Sequence, residues 1–267
     1  MLDPAIAAHY ALDLEAVRLD RDSLELERSQ ELLERFLPPP PCAVLDVGGG
    51  PGVYAAWLAE RGYRVHLVDP VPLHVEEALD RGGFSAAVGD ARALDAADGS
   101  FEAVLLMGPL YHLTARDERV QALREAARVV RPGGVVMAVG ISRFASLLDS
   151  ARSGWLADER FRAMVRADLA TGQHRNPAPE ERPEWFTTAY LHHPDELRAE
   201  VAASGLEVEA VLGIEGPGWL LVRQDQAQRA YVLEVARAVE AEPSLLGASA
   251  HLMAVGRRRV VKGGYPS

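Results

Sequence analysis

Apolar residues recur at mixed three- and four-residue steps among charged neighbours from Leu14 through Val17, Leu19, Leu24, Leu26, Leu32 and Leu33 to Phe36. That spacing predicts a helix over residues 13–36. Pro38 to Pro41 stops it, because consecutive prolines cannot continue a helix. Short apolar runs then alternate with amphipathic ones. The pattern predicts strand Ala43–Val47, helix Val53–Arg61, strand Arg64–Val68, helix Leu73–Arg81, a strand near Ala86–Val88 and strand Ala103–Met107. Helix Arg116–Val130 follows, and Pro132-Gly133-Gly134 opens strand Val135–Val139. Strands alternating with helices imply right-handed crossovers and a mostly parallel sheet with helices on both faces, an α/β fold.

The alternation breaks between residues 141 and 193, where Phe144, Trp155, Phe161, Trp185, Phe186 and Tyr190 mix with Pro177, Pro179 and Pro183. About fifty residues make a very small core of their own. This stretch is therefore expected to be a mostly helical insertion over the sheet edge. Pro194-Asp195-Glu196 restarts regular structure, with proline early in a helix and acids in its first turn. The helix ends near Gly205. Strand Leu206–Leu212, helix Gln226–Glu240 and strand His251–Val255 complete the chain. The organisation expected is an N-terminal helical cap (1–41), an α/β half (42–140), the insertion (141–193) and a C-terminal part that completes the sheet (194–267).

Length and composition narrow the classes. The chain has 267 residues and 48% hydrophobic content, enough for one large α/β domain with a real core. Its formal charge of −11 argues against nucleic acid as a bulk partner, since phosphate binding needs many Lys and Arg. Arg257-Arg258-Arg259 reads as the solvated end of the last strand. No apolar run reaches a membrane span and no signal peptide is visible, so a cytoplasmic protein is expected. Cys42 is the only cysteine, which excludes an internal disulfide or a cysteine-rich metal site.

The chemistry concentrates after the first strand, in Val44-Leu45-Asp46-Val47-Gly48-Gly49-Gly50-Pro51-Gly52. A parallel strand feeding a helix through glycines lets the backbone approach a polar ligand. A dinucleotide fingerprint would need glycine at Val53, which disfavours an NAD-dependent oxidoreductase. An acid followed by glycines at every second position resembles motif I of the class I S-adenosylmethionine-dependent methyltransferases. Further segments fit that resemblance in order. Asp69-Pro70 ends the second strand about twenty residues on, where a carboxylate can accept from both ribose hydroxyls. Gly89-Asp90-Ala91 is similar to the family's G-D-A motif. The run from Phe101 through Met107 and Gly108 to Leu113 resembles motif IV, and Ala127 to Gly134 matches the helix end before the fifth strand.

The resemblance implies a seven-stranded sheet, six strands parallel and the last antiparallel, and S-adenosyl-L-methionine as cofactor, with S-adenosyl-L-homocysteine as product. The cofactor set it implies is Asp46, Gly48, Gly49, Gly50, Gly52, Asp69, Pro70, Asp90, Ala91, Met107 and Gly108, with Tyr10 and Arg18 from an N-terminal lid. An ion pair between Arg18 and Asp22 is the competing role for that arginine. Tyr111 and His112 follow the fourth strand and are the catalytic candidates. His112 could act as a general base, or merely cap its loop while Tyr111 packs on the cofactor. Arg143, Trp155, Trp185, His192 and His193 are candidates for the substrate, with core or helix-cap roles as alternatives for the last four. No metal spacing is present. The expected activity is methyl transfer to a small O- or N-nucleophile, with that acceptor as partner and neither nucleic acid nor membrane expected. An RNA or protein methyltransferase and a non-catalytic cofactor-binding protein remain as alternatives.

Overall fold

The computed structural model describes Ile6, residues 24–221 and residues 226–260. Tyr10 and Arg18, and the first half of the helix expected over 13–36, lie outside the described residues. Helix α1 (Leu24–Phe36) carries Glu25 and Glu27 in its first turn and Arg35 in its last, a polarity that complements the helix dipole. It buries Leu32 and Leu33 against the sheet. Arg28 is buried with them. Its Nε donates to the Ile214 carbonyl at 3.1 Å, and Nη2 meets Glu240 at 2.5 Å.

Strands β1 (Ala43–Val47), β2 (Arg64–Asp69), β3 (Ser85–Val88) and β4 (Phe101–Leu106) are parallel, linked by helices α2 (Val53–Glu60) and α3 (Pro72–Arg81). A single helical turn, α4 (Pro109–His112), and helix α5 (Arg116–Val129) lead to β5 (Val130–Ser142). Strand β5 begins earlier than the glycine-proline punctuation predicts, since Val130 already pairs with Phe101 and the ladder shifts register before Ala103. Between residues 145 and 192 stand helices α6 (Ala145–Ser153) and α7 (Glu159–Thr171) and the strands β6 (Gln173–His174) and β7 (Ala189–His192). Helix α8 (Pro194–Ala203), β8 (Glu207–Gly213), α9 (Gln226–Val239) and β9 (His251–Arg257) complete the chain.

The main sheet runs β3-β2-β1-β4-β5-β9-β8. Strand β9 is antiparallel to both neighbours, so β8 shares the direction of β5. Six strands run one way and β9 the other, as expected. The difference is an addition: β7 pairs with the last two residues of β5, and β6 pairs with β7, making nine strands. Two-residue pairings are too short to register as periodic patterns in a sequence.

Alternation along the strands splits the interior in two. Val44 and Leu105 pack with Leu32, Leu33 and Leu58 on one face. Leu45, Val47, Val104 and Leu106 pack with Leu123, Ala126, Leu197 and Val201 on the other. A third cluster of Phe161, Met164, Val165 and Trp185 belongs to the 145–192 segment alone. No helix among the described residues is long and apolar enough to cross a membrane.

Candidate functional site

In an open parallel sheet, ligands bind beyond the carboxyl ends of the strands where strand order reverses. That point lies between β1 and β4, and a cavity of 280 Å³ opens there. Its floor is the turn after β1. Gly50 has φ +55°, and a Cβ built on it meets nothing within 4 Å, so the backbone itself faces the cavity. Gly49 has the opposite constraint: a Cβ there would stand 2.6 Å from Asp46 Oδ2 and from Leu67 Cδ1. Gly48 also lines the cavity. Gly52 does not. It precedes α2 at φ +85°, and a Cβ there would stand 2.7 Å from the Phe84 ring, so it is packed against that ring.

Asp46 lies under this turn, fully buried, and neither carboxylate oxygen has a hydrogen-bond partner. A buried carboxylate in that condition is costly. Burial, and secondarily the Asp69 charge, push its pKa up to about 7. A cationic group at the turn would offset both effects. The residues therefore fit a ligand with a positive end, as S-adenosylmethionine has in its ammonium and sulfonium groups.

Asp69 ends β2 at the cavity wall and is held by three donors. Gly50 N reaches Oδ2 at 2.9 Å, while Val71 N and His74 Nδ1 reach Oδ1 at 2.9 and 3.2 Å. Pro70, Ala91, Met107 and Gly108 line the same cavity. Asp90 does too, but Arg92 forks its carboxylate with Nη2 at 2.5 Å and Nε at 2.9 Å, and this pairing holds the Asp90 pKa below the usual range. Tyr111 and His112, on α4, close the far side, with ring centroids 4.7 Å apart.

A second cavity of 620 Å³ adjoins the first, and Tyr111 and Glu25 line both. Its walls are Trp155, Phe161, Trp185 and Phe186 from the 145–192 segment, with Trp219, Glu215 and His251 from the C-terminal elements. Phe186 is held at φ +68°, the one non-glycine residue with positive φ among the described residues, and its ring stands 6.4 Å from Tyr111 and 5.9 Å from His112. Such conformations cost about 1–3 kcal/mol and persist only where surrounding structure imposes them.

Trp155 and Trp185 thus meet the cavity they were expected to line. Arg143, His192 and His193 do not line either cavity, and His193 borders a third one with Phe144 and Leu147. Arg143 is buried, with Nε on the Leu191 carbonyl at 2.7 Å and Nη2 on Glu196 at 2.6 Å. His192 is fully buried, its Nε2 3.2 Å from Glu200, which also pairs with Arg119 at 2.6 Å. Burial holds the His192 pKa down despite that carboxylate. His193 caps α8, its side chain and that of Glu196 forming a reciprocal capping box. Sequence reading missed Glu25, His74, Glu215, Trp219 and His251. An acid immediately after the alternating segment 206–214 was the available signal for Glu215.

Residues 44–134 match the methyltransferase domain family model. With the sheet order and the glycine turn, this segment is a methyltransferase domain similar to those of the class I S-adenosylmethionine-dependent enzymes. It is 37% identical over 114 residues to Methyltransferase GfsG of Streptomyces halstedii, covering 40% of each chain. Identity to the ubiquinone biosynthesis O-methyltransferase of Methylocella silvestris is 32% over 150 residues, covering 53% of this chain and 57% of that one. The chain spans about half the length of these relatives. Among solved structures, a SAM-dependent methyltransferase from Methanosarcina mazei superposes with TM-score 0.60 at 16% identity, covering 86% of this chain and 97% of that one. This class I methyltransferase likeness rests on the fold alone.

Proposed function

We propose that this methyltransferase moves the methyl group of S-adenosylmethionine to an oxygen or nitrogen of a small molecule held in the larger cavity. The observation that carries the reading is the junction of the two cavities at Tyr111 and Glu25. A backbone cradle with an unpartnered buried carboxylate adjoins an aromatic chamber sized for a drug-like molecule. When bound, the cofactor supplies an already activated methyl carbon.

The chain's own residues then have three tasks. Gly48 to Gly50 admit the cofactor's amino-acid end close to the backbone, over Asp46, while Asp69 receives the ribose hydroxyls. The edge-on and tilted rings of Tyr111, His112 and Phe186 fix the line between donor and acceptor, and alignment of this kind accounts for much of the barrier lowering in a displacement. The 145–192 segment acts as a lid that excludes water, with Trp155 and Trp185 as its inner wall. His112 belongs to the donor side, where its ring packs on Tyr111 and serves alignment more readily than proton removal.

Titration calorimetry tests the reading. S-adenosylhomocysteine should bind and NAD should not; no heat with the sulfur ligand together with saturable NAD binding would overturn it. A screen of phenols, amines and carboxylates, read by homocysteine-product release, then identifies the acceptor. Hydrogen exchange in residues 145–192 should slow on cofactor binding relative to Val44–Val47. Equal protection with and without ligand removes the lid.

A further inference from the structure

The wall of the smaller cavity that follows α4 is held by a buried arginine. Arg119, on α5, donates from Nη1 to the carbonyls of Leu113 and Thr114 at 2.9 and 3.0 Å. Both of those residues line the cavity. The rest of the guanidinium is engaged elsewhere. Its Nε and Nη2 grip the two carboxylate oxygens of Glu200 on α8 at 2.9 and 2.6 Å. The Tyr190 ring covers its face, with the guanidinium carbon 3.5 Å from the ring centroid. A planar fork fastened at one edge and covered on one face has a single orientation, so its remaining nitrogen fixes two successive carbonyls.

The 145–192 segment reaches the same wall. Gln173 Nε2 donates to the Thr114 carbonyl at 2.9 Å, so that oxygen accepts from both Arg119 and Gln173 and both its lone pairs are used. Gln173 stands on β6 directly across from Tyr190 on β7, the residue whose ring covers Arg119. Strand β7 in turn pairs with the end of β5. One short ladder, placed by the main sheet, therefore carries two contacts from this segment to the Arg119–Thr114 junction. Neither Gln173 nor Arg119 lines the smaller cavity, so each acts on it through Thr114.

We propose that Gln173 is a positioning residue for the cofactor: with Arg119 it holds the Leu113–Thr114 wall in its binding shape, and it makes that shape depend on the 145–192 segment. The inference rests on the function proposed above, in which S-adenosylmethionine fills the smaller cavity. Arg119 supplies the constant part of the hold, since its carboxylate partner is buried beside it. Gln173 is half-buried and supplies the part that the segment can give or withhold. With β6 in place the Thr114 carbonyl has two donors; with β6 displaced it keeps one. A ligand that binds the fully held wall pays less ordering entropy. By reciprocity, a cofactor that needs this wall favours the seated segment by the same factor.

The experiment uses the full chain. Gln173→Ala and Gln173→Glu both remove the donor, and the second sets a carboxylate against the Thr114 carbonyl. Calorimetry should show S-adenosylhomocysteine binding weakened roughly 2–10-fold by the first, the range for one lost hydrogen bond, and further by the second. Gln173→Lys keeps a donor and should bind like the wild type. The ligand-free variants should melt with the wild type, and KM for S-adenosylmethionine should rise while kcat holds, a split that simple loss of structure does not produce. Wild-type affinity in both donor-less variants, an equal loss in Gln173→Lys, or a loss that tracks a lower melting temperature overturns the proposal. If the wild type itself does not bind S-adenosylhomocysteine, the proposed function falls. Hydrogen exchange then decides on its own whether Gln173 holds the wall. It should be faster over residues 113–118 in Gln173→Ala than in the wild type, with Val44–Val47 unchanged, and equal exchange over 113–118 overturns the proposal.

Discussion

The two cavities are built by different means. The smaller one is made of backbone at strand ends: Gly48 to Gly50 after β1, Asp69 after β2, Gly89 to Ala91 after β3 and Met107 to Pro109 after β4. The larger one is made of side chains from distant parts of the chain, from Leu24 to His251. Backbone geometry tolerates few substitutions, because a Cβ at Gly48 or Gly49 meets Pro109 or Asp46 at under 3.0 Å. A wall of side chains can be re-lined without disturbing the sheet. On the proposed function, the donor side is thus fixed by the fold, while the acceptor side is adjustable.

If the two regions are separable, damage to one should leave the other's ligand alone. Trp185→Ala should have the largest effect, about 3–5 kcal/mol of stability by truncating a buried aromatic ring. Trp185 is 2% exposed and packs on Phe161 with ring centroids 5.1 Å apart. Denaturation should show that loss in the third cluster, with S-adenosylhomocysteine affinity falling by much less, since only the part of the segment's order that is linked to the ligand is carried over. A matching loss of affinity would merge the two regions into one.

Asp46→Asn tests the cost carried by the donor side. The folded pKa is raised from 3.8 to about 7, so the neutral carboxyl is the form that folding favours. Stability from this group is fully present below pH 3.8 and is lost as pH rises through about 7. Removing the charge should therefore stabilise the ligand-free protein at pH 8 by roughly 1–3 kcal/mol, less than the full shift because the amide still lacks partners. At pH 4 the gain should nearly vanish. Thermal melts at the two pH values check the sign, and S-adenosylhomocysteine should bind the variant more weakly.

Asp69→Ala should weaken that ligand by about 1–3 kcal/mol, since Gly50 N, Val71 N and His74 lose their acceptor. Acceptor KM should stay constant. Tyr111→Phe should have the smallest effect, about 1 kcal/mol or less, but spread over both ligands because this ring lines both cavities. Kinetics that move only one constant would assign Tyr111 to a single side.

The same division explains what could be read from the sequence. Glycine spacing and the acids at strand ends are local patterns, so the smaller cavity's floor was legible in Asp46 to Gly50, Asp69 and Asp90. Trp155 and Trp185 were legible as bulky residues in an irregular segment. The hydrogen-bonded Glu215–His251 pair was not, because it joins the turn after β8 to the first residue of β9 across α9, and nothing local marks that contact. Arg143, His192 and His193 lie apart from both cavities for the opposite reason. They sit beside the insertion in sequence, but Glu196 and Glu200 one and two turns into α8 claim Arg143 and His192, and the helix end claims His193. Asp46 and Gly52 show a further limit: a motif's residues can divide between a cavity and the packing beneath it.

Arg28 ties α1 to the Ile214 carbonyl 186 positions later and to Glu240 212 positions later. A contact of such span cannot form while the chain is being made until the C-terminal third has left the ribosome. Glu25, one turn before Arg28, borders both cavities. A nascent chain can therefore assemble β1 to β4 and their glycine cradle early, yet the wall that α1 contributes arrives last. Both cavities would stay open on that side through most of synthesis and close as one of the final events of folding.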